Sequence, residues 1–328
     1  MKNNLVNNLK KLSGQFGVSG FEKENGITDF LFNIVKDINP KTHVDSVGNI
    51  ISVLGSGKET FILEAHMDEI GFFVRKIKGN IVLQAQGIIK GEKVVGNDVF
   101  IVGRNIKGNI LINKNRDFIF QPKLESDFNK IKRGDIVAFK RSFSKNRNII
   151  KANSLDNRIG CAVLLDILKK SIKRKRKNRL IFIFSTKEEI NKSSFKEVTS
   201  LYKDAFAIVI DAAYAQPVDF RIDSKDVNIP ILGKGCAFQT KGKGFKVFKK
   251  EIEKIKRVAK INKIKIQEES APSGLGKTNF AQMLKERIKK GVVINIPVRS
   301  QHNQISTMNL LDAKSAIDVT GAILESKY

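Results

Sequence analysis

Apolar residues recur at helical spacing over residues 1–17 and again over 21–37, with a Ser-Gly break between them, which predicts two short helices. VGNIISVLG and TFILEAH, which follow, are β-branched or aromatic runs separated by GSGKE and read as strands joined by a tight turn. From about residue 74 to about 152 the pattern changes to short apolar runs at close spacing: NIVLQAQG, DVFIVG, GNILI, DFIF and GDIVAFK. Only LESDFNKI suggests a short helix there, so this stretch reads as a small all-β module inserted in the chain. After residue 153 helices and strands alternate. RIGCAVLLDILKK, FKEVTSLY, KVFKKEIEKIKRVAKI, TNFAQMLKERIKK and MNLLDAKSAIDVTGAILES carry the helical period, and RLIFIFS, AFAIVID, KIKIQEE and GVVINIP read as strands.

Alternating helices and fully apolar strands predict an α/β fold, with a mixed sheet covered by helices on both faces. Residues 1–73 and 153–328 form that domain, and 74–152 form the inserted small β domain. Hydrophobic residues make up 41% of the chain and charged residues 28%, an ordinary globular composition. The first residues carry no apolar signal-like core, and no uncharged apolar run approaches the roughly 18 residues of a membrane span. A cytoplasmic protein without a membrane partner is expected. Cys161 and Cys236 lack CxxC spacing and read as buried free thiols.

The formal charge of +27 invites a nucleic-acid reading. Only KKSIKRKRKNR, residues 169–179, is dense, and it falls between a helix-like and a strand-like segment, where a solvated loop is expected. Elsewhere lysine is interleaved with Asn and Ile along the whole chain. Nucleic-acid binding is therefore the weakest of three functional alternatives.

In open α/β sheets, ligands gather beyond the carboxyl ends of the strands. FILEA ends in His66-Met67-Asp68-Glu69, LIFIFSTK in Glu188-Glu189, FAIVI in Asp211 and GVVINIPVRSQ in His302; SLDNRIG places Asp156 at the start of a helix. Taken singly, each has an ordinary role: Asp156 as a helix cap, the paired glutamates as a solvated loop, a histidine as a satisfied polar group. Asp211 is harder to dismiss, because a buried carboxylate is costly unless paired or coordinating. Together, imidazoles and carboxylates without thiolates suit a catalytic Zn, Co or Mn site. If Asp156 bridges two ions, His66 and Asp211 complete one set of ligands, and Glu189 and His302 the other. Two such ions would activate a shared water, Glu188 would serve as general base, and Asp68 would orient the His66 ring.

The segments AHMDEIGF, LDNRIGCAVLLDIL, Glu188-Glu189, AIVIDAAYAQP, LGKG and IPVRSQH occur in the order seen in a known family. The chain resembles the glutamyl and tetrahedral aminopeptidases, dinuclear metallopeptidases, over nearly its whole length. The resemblance implies a metallopeptidase domain interrupted by a small β domain. It assigns His66, Asp156, Glu189, Asp211 and His302 as metal ligands, Glu188 as base and Asp68 as the carboxylate following the first histidine. It implies two Zn or Co ions per subunit, short peptides as substrate and a homo-oligomer, commonly a dodecamer. Three stretches depart from the family pattern: INKSSF after the paired glutamates, Gly276-Lys277-Thr278-Asn279 before the penultimate helix, and Arg299-Ser300-Gln301 before His302. They motivate the second alternative, a catalytically weakened or inactive member serving as a binding or assembly protein.

Overall fold

The computed structural model describes residues 2–23, 26–174, 177–218, 227–270 and 279–326. Helices α1 (Lys2–Ser13) and α2 (Ile27–Ile38) are followed by strands β1 (Thr42–Val44), β2 (Ile50–Leu54) and β3 (Thr60–His66). Next come β4 (Gly71–Lys78), β5 (Asn80–Gln86), the short α3 (Gly91–Val94), β6 (Asp98–Ile101), β7 (Ile106–Ile112), β8 (Phe118–Pro122) and β9 (Ile136–Phe139). Then β10 (Phe143–Asn146), β11 (Ile149–Ala152), α4 (Leu155–Ile172), β12 (Arg179–Ser185), α5 (Lys196–Leu201) and β13 (Phe206–Tyr214). The chain continues through β14 (Cys236–Gly242), β15 (Phe245–Lys246), α6 (Lys249–Ile261), β16 (Ile266–Ser270) and α7 (Asn279–Lys285). Strands β17 (Lys290–Arg299) and β18 (Ser306–Asn309) precede the last helix, α8 (Leu310–Glu325).

One large mixed sheet runs β1-β2-β12-β3-β13-β17-β18-β11-β10, with β14 also on β17 and carrying β15 and β16 beside it. Its centre, β12-β3-β13-β17, is parallel. These strands are apolar almost throughout because both faces are covered: Leu180 to Phe184 are all inaccessible, as is most of α4, which packs against β3 and β13 beneath α1 and α8. The predicted mixed α/β fold is the one found.

The second element is a closed barrel, β4-β5-β8-β7-β6-β9. Its strands alternate, so Phe72, Val74, Ile81, Leu83, Ile110, Phe120 and Val137 fill a core of its own. Phe72 sits edge-on to Phe118 and Phe139 at ring distances of 5.1 and 5.9 Å. LESDFNKI contains only a short 3-10 turn, Glu125–Lys130.

Several expectations are corrected. The first two helices are shorter than their apolar periods, because residues 17–20 instead lie against the end of β3: Ser19 N donates to Glu69 O, and Glu69 N to Gly17 O. Strands β2 and β3 are not joined as a hairpin; β12 lies between them, antiparallel to one and parallel to the other. The hairpin β10–β11, read with the β module, pairs through β11 with β18 of the large sheet. Both cysteines are buried free thiols, as expected. The basic loop does separate α4 from β12, with Arg174 paired to Glu325; Lys175 and Arg176 lie outside the described residues, as do Gly276, Lys277 and Thr278.

Candidate metal centre

The parallel strands β3, β12, β13 and β17 deliver their side chains to one crevice. His66 is the last residue of β3, buried, with Nε2 3.2 Å from Asp156 Oδ1 and 3.5 Å from Asp211 Oδ1. Its other ring nitrogen, Nδ1, lies 3.3 Å from Asp68 Oδ1. The Asp68 carboxylate also accepts from the backbone amides of Glu188 at 3.2 Å and Glu189 at 3.0 Å. Lys187, at φ +62°, turns the chain so that these two amides converge after β12. One buried carboxylate therefore fixes both the first imidazole and the loop carrying the paired glutamates.

Asp211 is not at a strand end, because β13 runs on to Tyr214; its carboxylate leaves the sheet from within. His302 follows β17 in a turn at φ +57°, its Nε2 3.6 Å from both Asp156 Oδ2 and Glu189 Oε2. The His302 Nδ1 lies 2.9 Å from the carbonyl of Ile88, in the loop that follows β5. Gly87, at φ +91°, lets that segment pass close: a Cβ there would stand 3.2 Å from Glu189 Oε2 and 2.6 Å from Ile70 Cγ2.

Asp156 sits where α4 begins, but it is not the cap. Asp156 and Asn157 depart from helical φ/ψ, and Asn157 takes the capping role: its Oδ1 accepts from Gly160 N at 3.0 Å. The Asn157 Nδ2 donates to Ile210 O at 2.8 Å, next to Asp211. Gly160 is required here, since a Cβ would lie 2.2 Å from Asn157 Oδ1. The Asp156 carboxylate is left facing both histidines.

All seven residues singled out in the sequence come together. Two groups of ligand atoms form, His66-Asp156-Asp211 and Asp156-Glu189-His302, each within 4.8 Å and sharing Asp156. Glu188 belongs to neither. The donors are imidazole nitrogens and carboxylate oxygens, and each imidazole has its outer nitrogen against an oxygen acceptor while Nε2 faces the carboxylates. That arrangement fits two divalent cations.

The electrostatics agree. Burial pushes Glu189 up to about 7, with Asp156 and Asp68 adding to it. Burial also lifts Glu188 well above the usual range, with Glu189, Asp211 and Asp68 reinforcing it. Burial would lower His66 and His302, yet their carboxylate neighbours outweigh it, raising His66 well above its usual value and His302 to about 10. Five carboxylates and two imidazoles share a buried space, an excess of negative charge that cations between them would balance.

Two further buried carboxylates, to which the sequence reading gave no role, sit beside the centre. Glu64, buried and pushed up to about 7, accepts from Ser185 Oγ at 2.6 Å and Asn279 Nδ2 at 2.8 Å, so Asn279, one of the departures, is the donor that satisfies it. Glu69 accepts from Gly17 N at 2.8 Å and from both Arg141 amino groups and Ser154 Oγ, with Arg158 Nη2 3.7 Å away. Glu69 was visible only as part of AHMDEIGF; nothing in the sequence pairs it with Arg141.

The family model described as M42 glutamyl aminopeptidase matches residues 48–319. An Acetivibrio thermocellus protein, provisionally named an aminopeptidase, is 28% identical over 325 residues, covering 94% of this chain and 95% of its own length. Among solved structures, aminopeptidase APDkam598 from the archaeon Desulfurococcus kamchatkensis is similar at a TM-score of 0.86 and 22% identity, over 99% of this chain and 95% of the other. The TET1 peptidase of Pyrococcus horikoshii, which can assemble into a tetrahedron or a large octahedral shell, is similar at a TM-score of 0.81 and 24% identity, over 98% and 99%.

Proposed function

This chain belongs to the M42 glutamyl aminopeptidase family, and from that premise we propose that it removes N-terminal residues from short peptides at a dinuclear centre held by His66, Asp156, Glu189, Asp211 and His302. It is a metal-dependent aminopeptidase by family. The observation that carries the dinuclear reading is the sharing of Asp156 by two ligand groups that both leave Glu188 out.

Divalent cations bound there would polarise the scissile carbonyl and lower the pKa of a water from about 15.7 toward 7. Glu188 is the group left to move protons. Its carboxylate accepts one from the attacking water and returns it to the leaving amine nitrogen. Asp68 holds the loop carrying Glu188 and Glu189 and keeps the His66 ring in place. Nitrogen and oxygen donors favour Zn or Co. In a metal-reconstituted preparation, Glu188→Gln should lower kcat by about 10²- to 10⁴-fold while keeping two ions per chain. Unchanged turnover in that variant removes Glu188 from the role.

The formal charge of +27 favours acidic peptides through long-range steering. Their rate advantage should shrink as salt rises, and a salt-independent ratio against neutral peptides rejects this preference. The reading includes a cytoplasmic homo-oligomer of the dodecameric kind, with the barrel, centre of the proposed 74–152 unit, supplying contact surface. Ile88, Val95 and Leu124 there are 65%, 48% and 62% exposed in the single chain. No helix among the described residues is long and apolar enough to cross a membrane. A monomeric mass by light scattering would reject the assembly.

A further inference from the structure

The carboxyl ends of the parallel strands form the metal crevice, and their opposite ends open on a second concavity. Thr60 of β3, Arg179 of β12, Phe206 of β13 and Lys290 of β17 begin their strands there, and α6 closes one side. The cavity measures about 570 Å³, within the range of small-molecule sites. Its floor is apolar, made by the buried Phe61, Ala205 and Phe206, and Leu201, 69% exposed, and Tyr202 line it with them.

Six cations from five segments converge on it: Lys58, Arg179, Lys203, Lys290, and Lys250 and Lys254 one turn apart on α6. Glu59, Asp204 and Glu251 line it too, and the cations outnumber them six to three. Among the described residues no acid lies in ion-pair distance of Lys58, Lys203, Lys250 or Lys290, although surface lysines elsewhere, such as Lys123 and Lys256, are paired at 2.7 Å. Crowding is also felt at Lys254, whose pKa is lowered by partial burial and by Arg257 and Lys250. Lys58, Lys203, Lys250 and Lys290, with no acid in ion-pair distance among the described residues, focus positive potential over an apolar floor into a concave space, and the chemistry that answers it is a phosphate group attached to an apolar or planar body.

We propose that this cavity binds a phosphorylated small molecule of nucleotide size, its phosphates among Lys250, Lys254 and Lys290 and its ring against Leu201 and Tyr202. Calorimetry on the full chain tests it, with AMP, ADP, adenosine and inorganic phosphate as probes. The protein is first treated with chelator, so that binding to metal in the crevice contributes nothing. AMP or ADP should bind saturably at one site, with adenosine and inorganic phosphate each about tenfold weaker or more. Lys254→Ala combined with Lys290→Ala should weaken AMP by about tenfold or more without moving the thermal midpoint. No saturable binding of either nucleotide overturns the site. So does unchanged affinity in the double variant, which would place binding elsewhere on this basic surface. Equal affinity for phosphate and AMP overturns the role of the apolar wall.

Discussion

Asp68 and Glu69 are adjacent in sequence, and Asp156 and Arg158 stand two residues apart, yet each pair divides between two buried charge clusters built in opposite ways. Glu69 lies among protein cations. Burial alone would raise its carboxyl, but Arg141 and then Arg158 outweigh that and hold it at about 2. Arg141 rests on the Phe16 ring at 4.3 Å, and Arg158 Nη1 donates to Leu12 O at 3.3 Å, so this cluster joins the N-terminal helix, the barrel exit and the start of α4. Asp68 and Asp156 face the other way, into a crevice where carboxylates outnumber imidazoles and no Lys or Arg lies within ion-pair distance of Asp156, Glu189 or Asp211 among the described residues. One cluster is closed by the chain's own charges and serves as a brace. The other has no protein cation of that kind among the described residues, and the proposed metal centre rests on this difference.

The comparison can be broken where the open cluster is centred. Asp156→Ala removes the carboxylate common to both ligand groups, so both ions should be lost by metal analysis and turnover should fall by about 10³-fold or more. One ion retained per chain would show that the two groups are independent. On the closed side, Arg141→Met leaves Glu69 buried with only the more distant Arg158, and stability should fall by about 3 kcal/mol in chemical denaturation. Metal content should not change; loss of metal in step with stability would mean that brace and centre are one unit. An effect of similar size, spread over a pH range, is the pH dependence of the brace. A carboxyl lowered from 4.5 to about 2 contributes stability that is fully present above about pH 4.5 and is lost as pH falls toward 2. The contribution is on the order of 3 kcal/mol. Unfolding followed from about pH 5 to about pH 2 should be less steep in Glu69→Gln than in the unmodified chain, and parallel curves would remove Glu69 as the source.

How far the sequence could be read follows from the same contrast. His66, Asp68, Glu188, Glu189, Asp211 and His302 were legible because each follows or closes an apolar run, and Asp156 because it opens a helix beside them; it was their number together, not any one of them, that had few ordinary uses in a core. Glu69 and Arg141, seventy-two residues apart, each look like a routine surface residue until the fold brings them together. The same limit applies to strands. Apolar runs report burial, so β3, β12, β13 and β17 were visible, but a run does not name its neighbour. That β12 enters between β2 and β3, and that β11 chooses β18, depends on crossovers through α4 and on the closure of the barrel. Asn157 was hidden by its neighbour, since either side chain of Asp-Asn at a helix start serves as a cap.

The turn at His302 has a bearing on biosynthesis. The residues lining the crevice are scattered from position 66 to position 302 of 328, and the last of them lies beyond the final long strand. A nascent chain still emerging from the ribosome lacks that histidine and the Asp156 contact it makes, however complete the barrel and the earlier strands are. A chain so arranged can bring the donors of the proposed centre together only after β17 and the turn that follows it have been made.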